Sequence, residues 1–265
     1  MIKLPPRFDE IRPYYEEDRA RKITTPLLRH IIATTITRTT NRVYKGNAPL
    51  KCMQSAAGIQ HLLARVGIES KMIAGAVCFA KVDAVTREVM GWSGFWNKDH
   101  HVWIVTGFEE LVDISIAFLN DHPLTKGEEL APPALWWPGS LGQPHFFRYL
   151  SDVRVDTQEF SGEEALLFSK FMEELDRDFD RICANLNPAE FHFAGLLGGE
   201  GELSRLLDER HPYLMVAVNQ TPSILELPKW IVERQKEMEV AYKRGVSPKS
   251  WLMDIEGLFK TQESS

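Results

Sequence analysis

Apolar residues at Leu27, Leu28, Ile31, Ile32 and Ile36 recur on one side of a helical wheel, although the intervening threonines lower intrinsic helical propensity. Thr24-Thr25-Pro26 stands just before this run, with a capping hydroxyl and a proline suited to the first helical position, so the pattern predicts a helix from there to about Val43. The loop Lys45 to Lys51 follows. Beyond it Met53, Ala56, Ile59, Leu62, Leu63 and Val66 repeat at helical spacing until Gly67, which suits a helix stop. Cys52 is thereby expected at a helix N-terminus.

After Gly67-Ile68-Glu69-Ser70 the pattern changes. The runs 71–80 and 89–96, separated by a polar turn, read as two antiparallel strands. Two shorter runs, 100–105 and 110–115, are joined by Thr106-Gly107-Phe108-Glu109 and read as a hairpin. Residues 123–144 are rich in Pro and Gly around Trp136-Trp137-Pro138-Gly139, which suggests a lid or a boundary, and 146–155 read as a last strand. Beyond Ser161, where Ser-Gly-Glu-Glu resembles a helix start, the segments 162–186, 200–210 and 226–244 carry helical periodicity. The implied class is α+β: N-terminal helices packed on an antiparallel sheet over residues 1–155, then an α-rich extension over 156–265. No internal repeat occurs.

Composition narrows the function classes. With 265 residues, 44% of them hydrophobic, the chain is long enough for a sizeable core. Lys and Arg number 31 against 37 Asp and Glu, a net charge of −6, and no basic stripe gathers for phosphate binding, so nucleic acid is not an expected partner. The three cysteines, Cys52, Cys78 and Cys183, form no CxxC pair, which argues against a disulfide framework or a thiolate zinc site and fits a reducing compartment. The N-terminal residues lack a signal-peptide pattern and no run of eighteen apolar residues occurs, so a soluble, cytoplasmic protein with no membrane partner is expected.

Three residues carry candidate chemistry. A cysteine at a helix N-terminus faces unpaired N–H groups and the positive end of the dipole, which favour thiolate over thiol. His101, in His100-His101-Val102-Trp103-Ile104-Val105, supplies a base or ion-pair partner. Asp113, twelve residues later on the next strand of the hairpin, supplies an acceptor that would orient the imidazole. His100 competes with His101, because adjacent strand residues face opposite sides and a one-residue change of register exchanges them. Cys78 and Cys183 read as ordinary buried cysteines.

Cys52, Ala56, Leu62-Leu63 and Gly67, followed by His101-Val102-Trp103 and Val112-Asp113, resemble the transglutaminase-like proteins of the papain-like cysteine protease superfamily. The resemblance covers about residues 25 to 116. It implies a papain-like core in which Cys52 attacks an amide or ester carbonyl, His101 takes and returns the proton, and Asp113 holds the imidazolium, with a thioester intermediate. The Cys52 backbone N–H is then an oxyanion donor and Asn47 a candidate second one. Papain-like enzymes place a glutamine several residues before the nucleophile, and this chain has none there, its nearest being Gln54.

The expected function is a cysteine hydrolase, a peptidase or amidase, or else an acyltransferase, acting on a peptide or small amide. Hydrolysis is the default where water reaches an exposed thioester. The alternative is a catalytically silent relative serving as a binding or interaction module. Trp96, Trp103 and Trp136 are candidates for a substrate cleft and equally fit ordinary core. His61, His145 and His192 lack partners at metal-ligand spacing, and neither a metal nor a cofactor is expected. The acidic stretch Glu173 to Asp178 reads as a solvated face.

Overall fold

A computed structural model describes residues 16, 20–45, 51–95, 101–121, 128–154, 160–185, 195–224, 226–229, 231–233 and 236. Helix α1, Pro26–Tyr44, buries Leu28, Ile31, Ile32 and Ile36 as its periodicity requires. Its threonines are accommodated partly by back-bonding, Thr35 Oγ1 donating to the Ile31 carbonyl at 2.7 Å. The expected cap differs: Thr25 occupies the N-cap position without a side-chain capping bond. Thr24 turns instead to a distant carboxylate, that of Glu110.

Helix α2, Cys52–Arg65, begins on the cysteine and ends before Gly67, whose φ of 76° is the left-handed stop that glycine supplies at no steric cost. Glycine is also needed inside this helix. A Cβ at Gly58 would lie 2.9 to 3.1 Å from Ile36, Phe171 and Leu175, so the absent side chain lets three helices meet closely.

The strands are β1 (Ser70–Val82), β2 (Val89–Phe95), β3 (His101–Thr106), β4 (Glu110–Asp113), β5 (Ala134–Pro138), β6 (Phe147–Arg154) and β7 (Leu196–Leu197). Helices α3 (Gly162–Ala184), α4 (Glu200–Asp208) and α5 (Pro212–Ile224) follow, with 3₁₀ turns at Ser115–Asp121 and Gly139–Leu141. All seven strands share one sheet, antiparallel except for the β5–β7 pair, and the class is α+β. β6 lies along one edge of β1. On the other edge β3 pairs with Ser70–Gly75 and β2 with Val77–Val82, so β2 and β3 follow one another in line and neither is paired with Ala76.

The strand β5 corrects one expectation. The Pro- and Gly-rich segment 123–144 read as a lid or a boundary, yet Ala134–Pro138 is a buried strand between β4 and β7. Its flanking prolines sit at the strand's ends, where a ladder donor is dispensable.

Side chains of alternating parity fill two cores. Val102, Ile104, Val112 and Trp136 pack with Ile31, Ile32, Leu62 and Leu63 and with Phe171, Leu175 and Phe179 of α3. Ile73, Val77, Phe79, Trp103, Leu111, Leu135 and Tyr149 pack on the other face with Leu206, Tyr213, Leu214 and Ala217 of α4 and α5. The boundary expected at 155/156 lies outside the described residues, as does most of the helix expected over 226–244. The described elements beyond that boundary build into the same sheet and the same two cores.

One buried ion pair ties these parts together. The fully enclosed Glu110 carboxylate accepts from Thr24 N at 3.0 Å, Thr24 Oγ1 at 2.6 Å, Arg29 Nη2 at 2.8 Å and Thr106 Oγ1 at 3.1 Å, while Arg29 Nη1 reaches the Gly198 carbonyl at 2.7 Å. The start of α1, the β3–β4 hairpin and the β7 connection are thus clamped on one charge. Removing one partner of a buried pair strands the other, so Glu110→Ala is expected to destabilise the fold by about 3–5 kcal/mol, measured by urea unfolding. A loss below about 1 kcal/mol would show that the clamp is not holding these elements.

Candidate active site

β4 is short, and its end creates the site. With Ile104 opposite Val112 and Val105 opposite Leu111, the register carries Asp113 to the position beside Trp103. The chain then leaves the sheet for the 3₁₀ turn, so β3 runs on past its neighbour. The first residue of α2 takes up the vacated edge. Cys52 lies against the Val102 backbone N–H and the His101 side chain, both of which favour its thiolate.

His101 is buried and bonds Asp113 through Nε2, with Nε2 and Oδ2 2.6 Å apart, which leaves Nδ1 for the thiol. Residues 101 and 113 are diagonal neighbours on one sheet face, a separation that long side chains bridge. Of the two candidate histidines, His101 is the one at Asp113; His100 lies outside the described residues.

Asp113 is itself fully occupied. Oδ2 accepts from His101 Nε2 and from Tyr149 Oη at 2.9 Å, and Oδ1 accepts from Ser115 Oγ at 2.8 Å and Ile116 N at 3.1 Å. The last two bonds make Asp113 the cap of the 3₁₀ turn that ends β4, so one side chain terminates the strand and orients the imidazole.

Aromatic rings confine His101. Phe95 stacks on it with centroids 6.0 Å apart and planes inclined by 6°, and Trp103 lies 6.5 Å away. Phe95 reaches this position through its neighbour: Gly94 has φ of 134°, and a Cβ there would sit 2.2 Å from the Val77 carbonyl oxygen. Only glycine lets β2 approach β1 so closely.

No family model matches this chain, and no curated protein or solved structure matches it.

Electrostatics set the thiol and imidazole apart from ordinary ones. Burial pushes the Cys52 thiol up, but the hydrogen bond and positive charge of His101 and the Val102 N–H outweigh it and hold the thiol below its usual value. Burial opposes the His101 cation, yet the Asp113 charge and hydrogen bond, with the Cys52 contact, raise its pKa to about 10. Cys78 and Cys183 behave oppositely, desolvation pushing each up to about 12. They are inert core thiols. Among the described residues no group of three or more His, Cys, Asp or Glu is placed to hold a metal ion.

The remaining sequence candidates separate. Trp103 and Trp136 are fully enclosed, one in each core, so they pack the sheet and do not wall an open cleft. Asn47 and Trp96 lie outside the described residues. Gln54 is committed elsewhere, donating to Glu164 Oε1 at 2.6 Å beside Lys51 Nζ at 2.9 Å, and these bonds pin the start of α2 to α3. Sequence reasoning missed Ser115, Phe95 and Tyr149. The Asp113-Ile114-Ser115 spacing is a turn signature that could have revealed the first. No local pattern marks the others.

The two shifts have opposite consequences for stability. The raised His101 pKa contributes stability that is complete below its ordinary 6.5 and is lost as pH rises toward about 10. The lowered Cys52 pKa contributes stability above the ordinary thiol range that is lost as pH falls through the folded value. From the lowered Cys52 value up to the ordinary thiol range the terms oppose each other. Cys52→Ala removes one, so its unfolding free energy is expected to fall more steeply with pH across that window than the unsubstituted protein's. Parallel denaturation profiles would contradict the lowered thiol.

Proposed function

We propose that the protein is a cysteine hydrolase with a papain-like, transglutaminase-like core that cleaves an amide or ester bond through a thioester at Cys52. The observation that carries this reading is the unbroken chain of contacts from the Cys52 thiol through His101 to Asp113. A thiol by itself is a weak nucleophile at neutral pH; placed on a helix N-terminus and against an imidazolium it is held as thiolate.

In the proposed reaction the Cys52 thiolate attacks the carbonyl carbon and the imidazolium of His101 gives its proton to the leaving amine or alcohol. The neutral imidazole then takes a proton from water as that water attacks the thioester, regenerating thiolate and imidazolium. Asp113 keeps Nδ1 directed at the sulfur and stabilises the cation at both stages. The Cys52 backbone N–H, which has no intrahelical acceptor in the first turn of α2, serves as donor to the developing oxyanion. Cys52 is partly exposed, which gives water a route to the thioester and supports hydrolysis over transfer.

The test is intact-mass analysis after brief exposure to a panel of activated acyl esters at neutral pH. One acyl group is expected on Cys52, absent in Cys52→Ala and formed about 10²-fold more slowly or worse in His101→Ala. Acylation spread over the three cysteines, or equal rates with and without His101, would overturn the assignment and favour a silent binding module.

A further inference from the structure

We propose that Tyr149 is a positioning residue for this site, and that by donating to the same Asp113 oxygen as His101 it limits how tightly the imidazolium proton is held. The proposal rests on the cysteine hydrolase reading above. Its starting point is a shared acceptor: Oδ2 of Asp113 receives both His101 Nε2 at 2.6 Å and Tyr149 Oη at 2.9 Å. A carboxylate oxygen that accepts a second strong donor is a weaker base toward the first.

The fold goes out of its way to make this contact. Tyr149 lies on β6, opposite Val77 of β1, whereas Asp113 lies on β4, with β1 and β3 between. In a flat sheet those strands stand roughly 14 Å apart, beyond a tyrosine's reach, so the contact exists because the sheet curls. Tyr149 is fixed at both ends. Its backbone N–H donates to Gln143 Oε1 at 2.6 Å and its carbonyl accepts from Gln143 Nε2 at 3.0 Å, so one side-chain amide does the work of a neighbouring strand on the outer edge of β6. Its ring packs edge-on against Trp103 at 5.1 Å, the same indole that lies beside His101.

Charge and protonation agree with the role. Among the described residues, the titratable groups facing His101 are Cys52 from α2 and Asp113 from β4; those facing Tyr149 are Asp113, Tyr213 from α5 and Cys78 from β1. Burial, with Asp113 beside it, holds the Tyr149 hydroxyl protonated well above the ordinary phenol range, so it remains a donor wherever the site works. Hydrolysis needs an imidazolium that forms readily and also releases its proton. An Asp113 with a free lone pair in place of the Tyr149 bond would favour the first at the expense of the second.

Tyr149→Phe keeps the ring and removes the bond. The experiment follows the His101 ring resonances by NMR against pH in the unsubstituted protein and in Tyr149→Phe, alongside Cys52 alkylation by iodoacetamide in both. The His101 midpoint is expected to rise by roughly half to one unit in Tyr149→Phe while Cys52 stays more acidic than an ordinary thiol. Gln143→Leu, which loosens Tyr149 and leaves its hydroxyl in place, is expected to shift the midpoint in the same direction by less. An unchanged or lowered His101 midpoint in a folded Tyr149→Phe protein, with Cys52 still acidic, overturns the tuning role alone. Ordinary thiol behaviour of Cys52 in the unsubstituted protein overturns the hydrolase reading and this proposal with it.

Discussion

The buried Asp113 carboxylate is the constraint around which the site is organised. A charge enclosed this far from water is tolerable only when its lone pairs are occupied, since a partly satisfied buried carboxylate costs more than an apolar replacement. Four donors from three places occupy it: His101 on β3, Tyr149 on β6, and the hydroxyl of Ser115 and backbone N–H of Ile116 in the turn that follows β4. Each donor fixes a feature of the architecture. The turn donors end β4 after four residues, the tyrosine requires the sheet to curl, and the histidine is left with one nitrogen directed at the sulfur.

The early end of β4 has a second effect. It leaves an edge of β3 that none of the described strands covers, and a helix N-terminus, itself short of acceptors, fills it. The Val102 amide and an imidazolium converge on one sulfur atom at a helix N-terminus, which accounts for a cysteine that is acidic although partly buried. The Glu110 clamp stands at the other end of the same hairpin, joining it to α1 and to the β7 connection. Glu110 and Asp113, the first and last residues of one four-residue strand, are thus both saturated buried carboxylates, and His101 and Cys52 lie past the Asp113 end.

The helices α1 and α2 and the strands β1 to β4 were legible because their apolar spacing is regular and local. Cys52, His101 and Asp113 were legible for the same reason: each is placed by an element whose period can be read, and the hairpin fixes the separation of the last two. β5 was hidden by Pro132, Pro133 and Pro138 at its ends, and α5 by Pro212 at its start, Pro222 near its end and an apolar run without a polar face. Tyr149 sits 36 residues from Asp113 and meets it only through the curl of the sheet, a property of the assembled strands that no window of sequence contains. The enclosed Trp103 and Trp136 show the converse, where a residue type suggested a cleft and packing put it in the core.

The account depends most on Cys52 and His101 coexisting as thiolate and imidazolium near neutral pH. The direct measurement is the thiolate ultraviolet absorbance of the unsubstituted protein minus that of Cys52→Ser, followed through a pH titration. The account predicts one equivalent of thiolate already present at neutral pH, and its loss there in His101→Ala. A difference signal that develops only in the ordinary thiol range, unchanged by loss of His101, would contradict it.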